Sequence, residues 1–177
     1  MYLQKAQEYI KQYPTESKRF SGCSVDRIEH LENYLKVELP RAFIEYLKWF
    51  GNYGGGTMAV SHFGYRYISD EYFNEMIEEE IMEPGTGMKT WAEELLLKTR
   101  FDAKKLLHNA IVFMYHPEGT FHFIKSDQGD NPPVYVYSKH ESFSKTGPKV
   151  LNESFGDYIL EILKSNIEGQ KKLGIIK

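Results

Sequence analysis

Between Ser24 and Gly56 the chain carries punctuation that leaves little choice of local structure. Ser24 stands where a helix N-cap belongs, and Asp26 and Glu29 follow near the positive end of the helix dipole. Val25, Ile28, Leu31 and Leu35 recur with the spacing of one helical stripe. Leu39-Pro40 then breaks the run. Pro40 has no N–H to lose and suits the first turn of a new helix. Phe43, Leu47 and Phe50 recur at i, i+4 and i+7, and Gly51-Asn52-Tyr53-Gly54-Gly55-Gly56 stops the second helix. The pattern predicts two amphipathic helices joined by a Leu-Pro corner.

The flanking segments read in the same terms. Residues 2–13 form a helix with Leu3, Ala6 and Ile10 on one side; residues 14–23 connect it to the two-helix unit. Residues 57–69 alternate as one or two strands, interrupted at Gly64. Asp70 caps a helix with the stripe Phe73, Met76, Ile77 and Ile81, ended by Glu83-Pro84-Gly85. Thr90 and Glu93 fit a capping box opening a helix to about Arg100, with Trp91, Leu95 and Leu96 facing inward.

Residues 111–116 and 121–126 flank Pro117-Glu118-Gly119-Thr120, a hairpin signal. With Glu118-Gly119 as the tight turn, Phe113 faces Ile124, Met114 faces Phe123, and His122 lies opposite Tyr115. Both faces of this hairpin are apolar, so it belongs in the middle of a sheet. Residues 134–138 add a strand, and a final helix opens near Ser154 with Phe155, Ile159, Ile162 and Leu163 buried. No repeat or low-complexity tract divides the chain. The expectation is one α+β domain over residues 1–177, a central, mostly antiparallel sheet flanked by helices.

Bulk properties narrow the function. The net charge of −3 argues against a direct nucleic-acid binder, which needs a basic surface. Aromatic residues reach 15%, with 13 Tyr and 11 Phe, enough to fill a core and leave tyrosines such as Tyr65 or Tyr67 for an interface. The single cysteine, Cys23, cannot form an internal disulfide, which fits a reducing compartment. The N-terminus lacks a signal core and no apolar run approaches a bilayer span, so a cytoplasmic, membrane-free protein is expected.

The sequence holds no complete catalytic constellation. Glycines 51–56 lack the Lys-[Ser/Thr] of a phosphate loop and follow a helix rather than open one. His116 and His122 bracket the hairpin, but alternation puts them on opposite faces and no further metal ligands accompany them. Asp127-Gln128-Gly129-Asp130-Asn131 lacks the ligand order of a calcium loop and reads as a solvated turn. Cys23 has no neighbouring cue for a thiolate. No catalytic residue, metal or cofactor is therefore assigned.

One constellation remains. Asp70, Glu71, Glu75, Glu78, Glu79, Glu80 and Glu83 occur with no Lys or Arg among them. On a helix, Glu71, Glu75, Glu78 and Glu79 form one negative stripe, whose like charges repel by roughly 0.2–0.5 kcal/mol per pair. A basic partner would relieve that repulsion; a merely solvated face is the plainer alternative.

The order Ser24, Ile28, Leu31-Glu32, Leu39-Pro40, Phe43, Tyr46-Leu47, Gly51-Asn52, with Ser154-Phe155-Gly156-Asp157-Tyr158-Ile159 near the end, resembles the SUKH (Smi/Knr-type) superfamily. The glycine turn departs from the family's usual Asn-Gly. The resemblance covers residues 24–165, leaving 1–23 as an N-terminal helix and connector and 166–177 as a tail. It implies an α+β fold and a non-enzymatic role: a bacterial immunity protein of a polymorphic toxin system. Such a protein binds a cognate toxin, often a nuclease with a basic active-site cleft, through protein–protein contact. Glu71, Glu75, Glu78, Glu79 and Glu83 are the candidate contacts. Two alternatives stay open to the sequence: a regulatory interaction scaffold, and a small hydrolase or ligand-binding enzyme built from His62, Asp70 and His122.

Overall fold

The computed structural model describes residues 1–17, 20–50, 53–54, 66–67, 88–116, 118–140 and 146–176. Helix α1 spans Gln4–Ile10, α2 Pro14–Ser17, α3 Val25–Leu35 and α4 Arg41–Phe50. A short ribbon pairs β1, Phe20–Ser21, with β2, Tyr53–Gly54. Beyond β3, Arg66–Tyr67, come α5, Met88–Leu97, and α6, Ala103–Leu106. Strands β4, Ala110–His116, β5, Thr120–Lys125, β6, Val134–Ser138, and β7, Lys149–Asn152, follow. Helix α7, Phe155–Lys172, closes the chain.

The five-stranded sheet runs β3-β4-β5-β6-β7 with every neighbour antiparallel. The hairpin β4–β5 sits inside it, as its two apolar faces require. On one face, Phe121, Phe123, Tyr135 and Tyr137 pair across β5 and β6, with Phe121–Tyr137 at 5.4 Å and Phe123–Tyr135 at 5.2 Å. Cross-strand aromatic pairs of this kind stabilise a sheet by up to about 1 kcal/mol each. Phe101, between α5 and α6, meets Tyr137 edge-on. A second aromatic cluster joins Phe43 and Tyr46 of α4, Phe113 of β4, and Phe155 and Tyr158 of α7. The fold is thus the expected α+β arrangement.

Several local expectations need correction. His116 pairs with Thr120, leaving three residues in the turn, and Gly119 adopts φ +92° there. A three-residue loop with glycine in the left-handed region is a favoured hairpin closure. The observed pairs are Tyr115 with Phe121 and Met114 with His122, not Tyr115 with His122. A bulge between Val112 and Met114 then shifts the register again, so Ile111, not Phe113, meets Ile124. The alternation argument that separated His116 from His122 falls with that register.

Val25 is 57% exposed and leaves the α3 stripe to Ile28 and Leu31, because position N1 lies at the helix mouth. Thr90 lies inside α5 instead of capping it. Helix α1 stops at Ile10, and α2 and β1 occupy part of the expected connector. Of the strands expected over 57–69, only positions 66 and 67 fall among the described residues; the helix expected from Asp70 lies outside them.

Candidate functional site

The two-helix unit is held by a few side chains whose role is geometric. Ser24 caps α3 by accepting from the Arg27 N–H at 3.4 Å. Lys36 ends the helix in left-handed backbone, φ 55°, and the Val37 N–H returns to the Glu32 carbonyl. The Glu32 carboxylate reaches further. Its Oε1 accepts from the Leu39 N–H at 2.9 Å, which fixes the turn into Leu39-Pro40. Leu39 is then buried, and the Pro40 carbonyl receives the Phe43 and Ile44 N–H groups to start α4. Glu32→Ala leaves the Leu39 N–H without its acceptor and is expected to lower stability by about 1–2 kcal/mol in urea unfolding. Glu32→Gln, which keeps an oxygen at that reach, should recover most of the loss.

The loop read as a solvated turn does more than the sequence reveals. The Asp130 carbonyl accepts from Ala42 N–H at 2.8 Å, satisfying a donor at the mouth of α4. Its carboxylate accepts from the Tyr2 hydroxyl at 3.1 Å and pairs with Arg41 at 3.6 Å. The hydrogen bond and nearby charge of Asp130 raise the Tyr2 phenol above its ordinary pKa. Asn131 accepts from the Gly156 N–H at 2.9 Å. A Cβ at Gly156 would collide with the Tyr2 carbonyl, so glycine permits the close approach of α7 to the chain leading into α1. Glu45 completes the junction by accepting from both the Tyr2 and Leu3 N–H groups, at 2.8 and 3.1 Å. Asp130, Asn131 and Glu45 therefore bind α1, α4 and α7 together. The sequence carries no local signal for them, since Asp130 and Asn131 sit in a polar loop, Glu45 lies within α4, and their partners are distant along the chain.

At the start of α7, Ser154 accepts from the Asp157 N–H and donates to its carboxylate at 2.9 Å. The Ser154 hydroxyl, and then Lys5 at 3.1 Å, hold the Asp157 carboxyl below the usual carboxylate range. The expected Ser-Phe-x-x-Tyr-Ile signature is thus the capped N-terminus of a core helix.

His122 is buried, and the Tyr158 hydroxyl lies 2.8 Å from its Nδ1. Burial pushes the imidazole pKa down to about 3. It is a neutral side chain bonded between β5 and α7. His62 and Asp70, its partners in the hydrolase reading, lie outside the described residues, as does Tyr65. Cys23 is half-buried, and burial raises its thiol pKa, opposite to what a nucleophile requires. Within the glycine run, Gly54 pairs with Phe20 in the β1–β2 ribbon. Among the described residues, no group of three or more His, Cys, Asp or Glu is gathered as for a metal, and no helix is long and apolar enough to cross a membrane.

Glu71, Glu75, Glu78, Glu79 and Glu83 all lie outside the described residues. Their place in the chain is nonetheless bounded. They fall between β3, at one edge of the sheet, and α5, which packs on β4.

The α3–corner–α4 unit, the antiparallel sheet and the capped closing helix together define an α+β scaffold of a recognised type. The family model described as SMI1 / KNR4 family (SUKH-1) matches residues 22–161, and the chain belongs to that family. No curated protein matches it.

Proposed function

We propose that this chain is a cytoplasmic immunity protein that binds a cognate bacterial toxin and neutralises it by occlusion, without chemistry of its own. Membership of the SUKH-1 family is the observation that carries the reading. The acidic run from Asp70 to Glu83, free of Lys and Arg, supports the choice of partner. A nuclease cleft must be positive to hold phosphate, so a row of carboxylates is a suitable plug for it. Glu71, Glu75, Glu78, Glu79 and Glu83 are the proposed contacts.

Co-expression with the product of the neighbouring open reading frame tests the function. Rescue of growth from that product supports immunity. A neighbour that is harmless alone favours a regulatory scaffold instead, and substrate turnover by the purified chain would overturn the non-enzymatic reading.

The contacts have their own test. Glu75→Lys with Glu79→Lys is expected to slow association with the toxin at least tenfold at low salt and to flatten its salt dependence, as for steering charges. Stopped-flow association at two ionic strengths reads both effects. Unchanged kinetics would remove the acidic run from the interface and leave the immunity reading standing.

A further inference from the structure

The ends of α3 and α6 and the start of α5 enclose an open groove of about 380 Å³. Its apolar lining is Leu107, fully buried, with Leu35 and Val37 half-buried. Lys36, Lys89, Lys104 and His108 stand around it, and Glu93 is the one carboxylate in the lining. Among the described residues, none of the three lysines forms an ion pair. In a chain with 25 acidic and 22 basic residues, this local excess of cations runs against the overall balance.

Helix dipoles explain only part of it. Lys36 caps the C-terminus of α3, where a cation is favoured, whereas α6 is a single turn whose dipole does not account for Lys104. Lys89 occupies the first turn of α5, which has no acidic residue and where the dipole opposes a cation. An anion in the groove would offset that opposition.

We propose that this groove docks an acidic peptide segment of a partner protein. Its carboxylates would meet Lys36, Lys89 and Lys104, and an apolar side chain between them would lie against the half-buried Leu35 and Val37. The apolar lining separates this from a phosphate site, for which Leu35 and Val37 would be idle. The groove is opposite in sign to the run at 70–83, and the proposal holds whether or not the partner is a toxin.

The test is an amide NMR titration of the full chain with a ten-residue peptide of alternating Glu and Leu, with inorganic phosphate titrated in parallel. Shifts at Lys36, His108 and Asn109 are expected for the peptide, with affinity falling at least tenfold in Lys36→Glu with Lys104→Glu. Should that variant fail to fold, Lys89→Gln decides, with at least a threefold loss expected. Absence of groove shifts, undiminished affinity in a folded variant, or equal shifts from phosphate would overturn the proposal. So would groove shifts produced by Glu75→Lys with Glu79→Lys in the absence of peptide, since the occupant would then be the chain's own residues 70–83.

Discussion

Phe155→Ala is expected to destabilise the fold by about 4 kcal/mol, within the 3–5 kcal/mol that removal of a buried phenyl ring costs. Phe155 is fully buried and touches the rings of Phe43 and Tyr46 at 5.5 Å, Phe113 at 5.3 Å and Tyr158 at 6.3 Å. Three of those contacts are edge-to-face, the arrangement favoured by ring quadrupoles. The residues come from α4, β4 and α7, so one truncation loosens the sheet from two helices at once. The surrounding rings are stiff and cannot collapse into the space, which keeps the cost near the upper part of the range. A domain of ordinary stability, roughly 5–15 kcal/mol, would be left close to unfolding. Urea denaturation reads the effect as a lowered midpoint at unchanged slope. Phe155→Leu retains most of the volume and should cost about 1–2 kcal/mol. A loss below about 2 kcal/mol for the alanine variant would show that the cluster is not the centre of the core.

The second large effect is a loss of stability in acid, traced to His122. Its folded pKa is about 3 because burial disfavours the imidazolium, whereas the unfolded chain restores a value near 6.5. Between those two values the unfolded state binds the extra proton, so stability falls as pH falls. The contribution is fully present above about pH 6.5, declines through the window below it, and levels off below about pH 3. At pH 4 the loss from this group is about 3 kcal/mol. Asp157, whose carboxyl is held low, also loses stability as pH falls, so wild type alone cannot isolate the histidine. His122→Gln can. The variant is expected to be less stable at pH 7, with the gap to wild type closing by about 3 kcal/mol on going to pH 4. Parallel pH profiles would mean that His122 titrates normally in the folded protein.

The helical half of the fold was legible because its signals are local. Ser24, Leu39-Pro40 and Ser154 punctuate the chain, and the stripes through Ile28, Leu31, Phe43, Leu47, Phe155 and Ile159 face inward as their spacing required. The sheet register was less legible. Counting from Glu118-Gly119 as a two-residue turn shifted each partner by one, since a three-residue loop is also compatible with Gly119 at positive φ. The bulge beside Phe113 has no signature of its own in the sequence. The junction at Asp130, Asn131 and Glu45 was missed for a different reason. Its bonds join residues 25 to 128 positions apart, and short-range pattern carries no information about them. Of the candidate site, the acidic composition of residues 70–83 is plain in the sequence, while its geometry depends on how that segment meets the sheet edge and α5. The cationic groove was hidden because Lys36, Lys89 and Lys104 belong to three different helices.

The position of Phe155 in the chain has a consequence for synthesis. While a ribosome is still extending the polypeptide toward that residue, Phe43, Tyr46 and Phe113 have been made and have nothing to close over them. The nascent chain must carry that sticky surface until the closing helix emerges from the exit tunnel, and a stall in this interval leaves a species prone to self-association. Fragments ending before residue 155 should accordingly recruit holdase chaperones, whereas those that extend through Leu163 should not.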